Sequence, residues 1–324
     1  MIGKGAYEKQ CGKGCSGEGN VPYEMTLFGA LKARLVGKDV KLMPFCAKME
    51  IAKTDTSNAV ITGGHGEQKT SVDWSDAAEL KAAAEAADAV IVFTGTELGY
   101  QENMESESRD RVNMDLPKEL QEAMHTILGW NLKNLVVVSR SGTPVGYTWT
   151  DKADTLIQTS YLGMEEGNSI LDVVFGDVNP SGKLVQTWPK SYADTAVAQA
   201  GTYNAKEVVY NERFYVGYRW YDHKKIEPLF PFGYGLSYTT FGYGDVAATN
   251  HARTVSVSVN VTNTGKREGA EVVQVYASYP NAKVERCVKE LKGFQKVTLA
   301  PGETKKVSVT VRVRDLAYWD EFIH

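Results

Sequence analysis

The sequence predicts an α/β protein: an open, mostly parallel sheet sandwiched by helices, followed by a small antiparallel β-sandwich. Three observations carry this. Short apolar runs rich in β-branched residues recur over the first 190 residues. Helix-forming stretches separate them. Residues 250–320 switch to strict apolar–polar alternation. Continuous apolar runs suit parallel strands covered on both faces, whereas alternation suits half-buried antiparallel strands.

In chain order, "KDVKLMPF" (38–45), "DAVIVFTG" (88–95), "NLVVVSRSG" (134–142) and "DTLIQTSY" (154–161) are the expected parallel strands. "SDAAELKAAAEAA" (75–87) opens on Ser75 or Asp76, either of which can cap an alanine-rich helix. "DLPKELQEAMHTILGW" (115–130) predicts a helix with Asp115 as cap and Pro117 early in the first turn. "GMEEGNSILDVVFGD" predicts another, from after Gly163 to Gly176. Strand–helix–strand repetition gives the parallel sheet of a domain over residues 1–190. Residues 191–245 are dense in aromatics, Gly and Pro and read as an ordered connecting segment, because disordered linkers carry few aromatic rings. Interdomain packing accounts for those rings better than ligand stacking. From 246 to 324, "RTVSVSVNVTNTG", "AEVVQVYASYP" and "TKKVSVTVRVRDL", joined by "NTGKREG" and "LAPGET", predict a fibronectin type III-like sandwich. Its strands are too few, so it is expected to be truncated at its C-terminal end.

Composition narrows the function. Over 324 residues the chain is 43% hydrophobic and 23% charged, with a net charge of −4. That balance, with scattered Lys and Arg, argues against nucleic acid as a partner. No apolar run reaches the ~20 residues of a membrane helix. No export signal is visible in "MIGKGAYEKQ", which predicts a cytoplasmic location. Cys11, Cys15, Cys46 and Cys287 fit no zinc or redox spacing and read as free thiols. The glycine-rich "GKGAYEKQCGKGCSGEG" matches neither dinucleotide nor P-loop spacing, since Gly14 follows Lys13 where Ser or Thr is needed. There is no G-x-S-x-G elbow, and none of the five histidines sits in a catalytic frame.

Carboxylates remain. "FTGTELGYQENMESESRDRVNMDLP" leaves the carboxyl end of an expected strand, the edge where open α/β sheets bind ligands. Its length exceeds the few residues usual for such a connection. Within "MESESRDR", Arg109 and Arg111 can order the loop by pairing with Glu105, Asp110 or Asp115. A glutamate left over could act as a proton donor. On composition alone, a solvated charged loop is the competing interpretation.

Longer motifs add a resemblance. "MESESRDRVNMDLP", "NLVVVSRSGTPV" with Trp149, "GMEEGNSILDVVFGDVNPSGKLVQTWPKS", "FYVGYRWYDHKKIEPLFPFGYGLSYTTF" and "ELKGFQKVTLAPGETKKVSVTV" resemble successive segments of glycoside hydrolase family 3 β-glucosidases. The opening "MIGKGAYE" is similar to the first strand of that family's sandwich domain. The resemblance implies a retaining glycosidase acting on terminal β-linked sugars of an oligosaccharide or glucoside, with no cofactor and no metal. It implies an aspartate nucleophile in a (β/α)8 barrel, and an acid/base glutamate in the loop of the sandwich domain. Matching "ESESRDR" to the family's loop puts that role on Glu107, with Glu105 as runner-up and Arg109, Asp110 and Arg111 as support. Ser108 stands where the family has Gly. A barrel needs about 250 residues, which this chain has no room for. The chain is therefore expected to be a fragment with the barrel upstream, downstream or on another chain, and to be weakly active or inactive alone. The face left by a missing barrel is expected to be apolar and to favour homo-oligomers. A non-catalytic carbohydrate-binding or protein-interaction module is the alternative.

Overall fold

The computed structural model describes residues 1–9, 21–43, 77–96, 103–105, 110–201, 203 and 206–319. These fall into two compact units, Met1–Val174 and Phe175–His324.

The first unit is α/β. Strands β1 (Val90–Gly95), β2 (Leu135–Arg140) and β3 (Leu156–Thr159) form a parallel sheet in that order. Val92 lies opposite Val137, and Val137 opposite Leu156. Val137 and Val138 are fully buried, so the central strand is covered on both faces, as its unbroken apolar run requires. Helices α1 (Leu27–Arg34) and α4 (Glu166–Val174) cover one face. They bring Leu27, Ala30, Leu31, Ile170 and Leu171 onto Phe93 and Val138. Each fully buried leucine or isoleucine there contributes about 1.5–3 kcal/mol. Their close approach depends on Gly167, where a Cβ would lie 2.3 Å from the carbonyl of Thr26. Helix α2 (Ala77–Glu85) precedes β1, and α3 (Lys118–Leu128) buries Ala123, Met124, Ile127 and Leu128 at helical spacing.

Three expectations change in this unit. No strand forms over 38–43, and Pro44 and Phe45 lie outside the described residues. The outer edge of β1 is taken instead by the chain start: the amide of Ile2 donates to Ile91, and the amide of Phe93 donates to Ile2. Helix α3 is capped at Pro117, whose ψ of 136° is extended, rather than at Asp115. Asp115 instead pairs with Gly146 in a parallel bridge. Helix α1, which periodicity did not reveal, is capped by Thr26, whose hydroxyl accepts from the Gly29 amide at 3.1 Å.

The second unit begins with α5 (Ala196–Ala200) and α6 (Tyr218–Lys224) and continues as an antiparallel sandwich. Strands β4 (Phe241–Asn250), β5 (Thr254–Asn263) and β8 (Thr304–Arg312) make one sheet; β6 (Gly269–Ala277) and β7 (Glu290–Leu299) make the other. Val259, Val261, Val273, Leu299 and Val307 fill the space between them. Alternation did not reveal β4 or β7. In β4 the pairing slips between Gly244 and Ala247, around Asp245 at φ +52°. Such a bulge breaks the two-residue period and blunts an edge strand. The aromatic segment packs on this unit: Tyr215, Trp220 and Tyr221 cluster with Cys287, and the Tyr218 hydroxyl accepts from the Leu291 amide.

Candidate active site at the carboxyl edge of the parallel sheet

The strands of the first unit end together. Beyond β1, the amide of Thr96 donates to the Arg140 carbonyl; beyond β2, the amide of Ser141 donates to Thr159. Gly95 makes the first exit possible. Its φ is +133°, and a Cβ there would lie 1.9 Å from the Arg140 carbonyl oxygen. The charged loop leaves from this point.

Its described parts form two limbs that return to each other. Asn103, at φ +61°, donates its amide Nδ2 to Asn113 Oδ1 at 2.8 Å, and the Asn113 amide donates back to Asn103 Oδ1 at 3.2 Å. Asn113 Oδ1 also accepts from the Asp115 amide. This reciprocal pair closes the neck of the segment between the two asparagines.

Beyond the neck, both limbs hold one turn, the Ser-Gly-Thr-Pro exit of β2. The Glu105 carboxylate accepts from the Gly142 amide (3.1 and 3.0 Å to its two oxygens) and from the Thr143 amide at 3.1 Å. It also accepts from the Thr143 hydroxyl at 2.9 Å and the Tyr161 hydroxyl at 2.6 Å. Both oxygens are engaged. From the other limb, Arg111 Nη2 donates to Thr143 Oγ1 at 2.9 Å and to the Pro144 carbonyl at 2.8 Å. Thr143 Oγ1 thus gives its proton to Glu105 and accepts one from Arg111. Burial draws the Arg111 guanidinium below its ordinary pKa, partly offset by the Glu105 carboxylate.

Polar residues stand behind the turn. Tyr147 lies 2.6 Å from Ser139 Oγ and donates to Gln158 Oε1 at 2.5 Å, while Gln158 Nε2 donates to Ser141 Oγ at 3.0 Å. Burial raises the Tyr147 phenol well above its ordinary pKa. Arg140 pairs with Glu166 below, its guanidinium 4.9 Å from the Phe93 ring centre and 5.8 Å from that of Tyr161. The segment after the turn is fixed to α3 through Thr148, whose hydroxyl meets Gln121 Nε2 at 2.6 Å and His125 Nε2 at 2.8 Å.

Glu107 and Arg109 lie outside the described residues. Glu105 and Arg111 come together, but through Thr143 rather than as a direct pair. Asp110 is described and exposed. Asp115 sits at the bridge to Gly146. Sequence reasoning missed Thr143, Tyr161 and the Asn103–Asn113 neck. Only the turn chemistry of "SGTP" signals the first of them.

The comparisons with known proteins agree with this architecture. Residues 1–238 match the Glycosyl hydrolase family 3 C-terminal domain, and residues 271–324 match a Fibronectin type III-like domain. The chain is 46% identical over 228 residues to a β-glucosidase of Kluyveromyces marxianus, covering 69% of this chain and 27% of that protein. It is 38% identical over 270 residues to the thermostable β-glucosidase B of Acetivibrio thermocellus, covering 82% of this chain and 35% of that one. Among solved structures, β-glucosidase 3B from Thermotoga neapolitana in complex with glycerol superposes with a TM-score of 0.79 at 28% identity, over 98% of this chain and 45% of that one. The K. marxianus enzyme in complex with glucose gives 0.68 at 42% identity, over 74% and 28%. The chain thus spans about a third of the length of the curated relatives it matches. With a family model matched across most of its length and a fibronectin type III-like domain behind it, the chain belongs to glycosyl hydrolase family 3, as a C-terminal part of that family.

Proposed function

We propose that this chain supplies the general acid/base of a retaining β-glucosidase-type hydrolase, with Glu107 as the proton donor and the nucleophile on a (β/α)8 barrel outside this polypeptide. The observation that carries the reading is the saturation of Glu105. Its two oxygens already accept from the Gly142 and Thr143 amides and from the Thr143 and Tyr161 hydroxyls. A carboxyl group so engaged has no oxygen left to offer a leaving group. Of the two candidate glutamates, that leaves Glu107 for the chemistry. Arg111, Asp110 and Arg109 then belong to the loop that carries it, with Arg111 joined to the β2 exit.

The substrate class follows from relatives named β-glucosidases, one of them solved with glucose: a terminal β-linked glucoside. In the mechanism, the barrel aspartate attacks the anomeric carbon and the bond to the leaving oxygen breaks. Glu107 protonates that oxygen, then deprotonates the water that releases the sugar. Retention requires the two carboxyl groups about 5–5.5 Å apart. On this reading the nucleophile, and with it the second wall of the cleft, belongs to a partner domain or chain. Absent that wall, the exposed face favours association of copies, which light scattering on the purified chain measures.

The test is reconstitution. The chain alone should not hydrolyse an aryl β-glucoside, and a separately supplied family barrel should restore turnover. Brisk hydrolysis by the chain alone, abolished by Glu107→Gln, would overturn the split. Sugar binding by the chain with no gain of activity from any barrel would favour the binding-module reading.

A further inference from the structure

We infer that Glu105 is a positioning residue, and that the Thr143 hydroxyl is the joint through which both limbs of the charged loop are held to the end of β2. The inference rests on the reading that this loop carries the proton donor.

Four donor groups converge on one carboxylate: two consecutive amides at the β2 exit, one hydroxyl from the same turn and one from Tyr161 beyond β3. Successive amides pointing at one spot form a concavity suited to an anion. Here the anion is the chain's own side chain, reaching across 37 residues of sequence from Glu105 to Gly142. The donors lie two or three residues past the ends of β2 and β3, whose ladder runs as far as Arg140 and Thr159. Glu105 therefore ties its limb to the turn that leaves β2. Arg111 ties the opposite limb to the same turn. Thr143 serves both, since a hydroxyl donates one hydrogen bond while accepting another. Valine has the same shape and can do neither, whereas serine does both. The Asn103–Asn113 pair closes the neck, so the two limbs are joined at their base as well as at the β2 turn. Precise aim matters because a displacement of about 1 Å in a catalytic group can cost about 100-fold in rate.

Amide hydrogen exchange on the whole chain tests this. Thr143→Val and Glu105→Ala should each speed exchange across 104–111 by about tenfold, the effect expected when a hydrogen bond to a charged group is lost from a local opening equilibrium. Amides inside β1–β3 should keep their rates. Thr143→Ser should restore the wild-type rates. In Glu105→Ala, added formate should return the Gly142 and Thr143 amide resonances toward their wild-type positions, because it refills the concavity. It should leave 104–111 fast, because formate is not tethered to the loop. Unchanged exchange at 104–111 in both variants overturns the inference. So does an acceleration spread evenly over the whole unit, which would make these residues stabilising and not positioning. If Glu105→Ala does not fold, the Thr143→Val and Thr143→Ser pair decides alone. None of these readouts depends on whether Glu107 is the proton donor, so the two readings fail separately.

Discussion

Arg140 and Glu166 form a buried ion pair directly beneath the loop's anchor. Arg140 Nη1 lies 2.6 Å from Glu166 Oε2, and the two side chains are 1% and 6% exposed. The guanidinium also faces the rings of Phe93 and Tyr161, and Tyr161 in turn donates to Glu105. The pair links the first residue of α4 to the last residue of β2. Removing one partner strands a charge in an apolar setting, which costs about 3–5 kcal/mol. Arg140→Met should lower the urea stability of the first unit by that amount. The double change Arg140→Met with Glu166→Gln should be less damaging than Arg140→Met alone, because no charge is left stranded.

The same glutamate gives a pH dependence. Burial raises the Glu166 carboxyl above its ordinary pKa, and Arg140 pulls it back only in part. The folded chain then holds this proton more tightly than the unfolded chain. Between the unfolded and folded values the native state binds more protons, so stability falls as pH rises through that window. Unfolding free energies measured across a pH series should show wild type losing stability relative to Glu166→Gln as pH climbs out of the ordinary glutamate range.

In the sandwich the equivalent keystone is Asn263, fully buried at the end of β5. Its Oδ1 accepts from Thr239 Oγ1 at 2.6 Å and from the Gly265 amide at 3.1 Å; its Nδ2 donates to the carbonyls of Arg267 at 2.7 Å and Leu299 at 2.9 Å. Asn263→Leu leaves four polar groups without this partner, and the two in buried bonds, the Thr239 hydroxyl and the Leu299 carbonyl, cost roughly 1–3 kcal/mol each before relaxation. The second unit should lose at least about 3 kcal/mol while the parallel sheet keeps its hydrogen-exchange protection.

Two glycines with positive φ should respond differently to alanine. At Gly95, φ is +133° and the new Cβ would sit 1.9 Å from the Arg140 carbonyl oxygen. At Gly37, φ is +73° with nothing within 4 Å. Gly37→Ala should cost about 1 kcal/mol from backbone strain alone. Gly95→Ala should exceed about 4 kcal/mol, because the clash is with backbone that cannot yield. Thermal melting of the two variants side by side measures the contrast.

Much of this architecture is legible in the sequence, and the reasons are local. The apolar runs at 90–95 and 135–140 became strands because each has a neighbour on both faces. The run at 38–43 carries Lys38, Asp39 and Lys41 among its apolar residues and forms no strand, and the outer edge of β1 is held by Ile2. Periodicity registers the strand and not its partner. The same limit applies to the site. A charged loop at a sheet edge is visible from spacing, yet nothing in that spacing marks Glu105 as the glutamate that reaches the Gly142 and Thr143 amides. Those amides belong to a turn 37 residues away in sequence. The turn chemistry of "SGTP" points to a turn at Thr143 but not to its partners, and Tyr161 carries no mark of its role until β2 and β3 are set side by side. The slip in β4 around Asp245 hid that strand for a related reason, since one inserted residue inverts the face pattern.

The central claim, that Glu107 donates the proton, is tested most directly by leaving-group dependence in the chain reconstituted with a family barrel. Activity of wild type, Glu107→Gln and Glu105→Gln would be compared on an alkyl β-glucoside, whose leaving oxygen needs a proton, and on a dinitrophenyl β-glucoside, whose leaving group does not. Glu107→Gln should lose about 10²–10⁴-fold on the alkyl substrate while glycosylation by the dinitrophenyl substrate is nearly unchanged. Equal losses on both substrates, or the selective loss appearing in Glu105→Gln instead, would contradict the account.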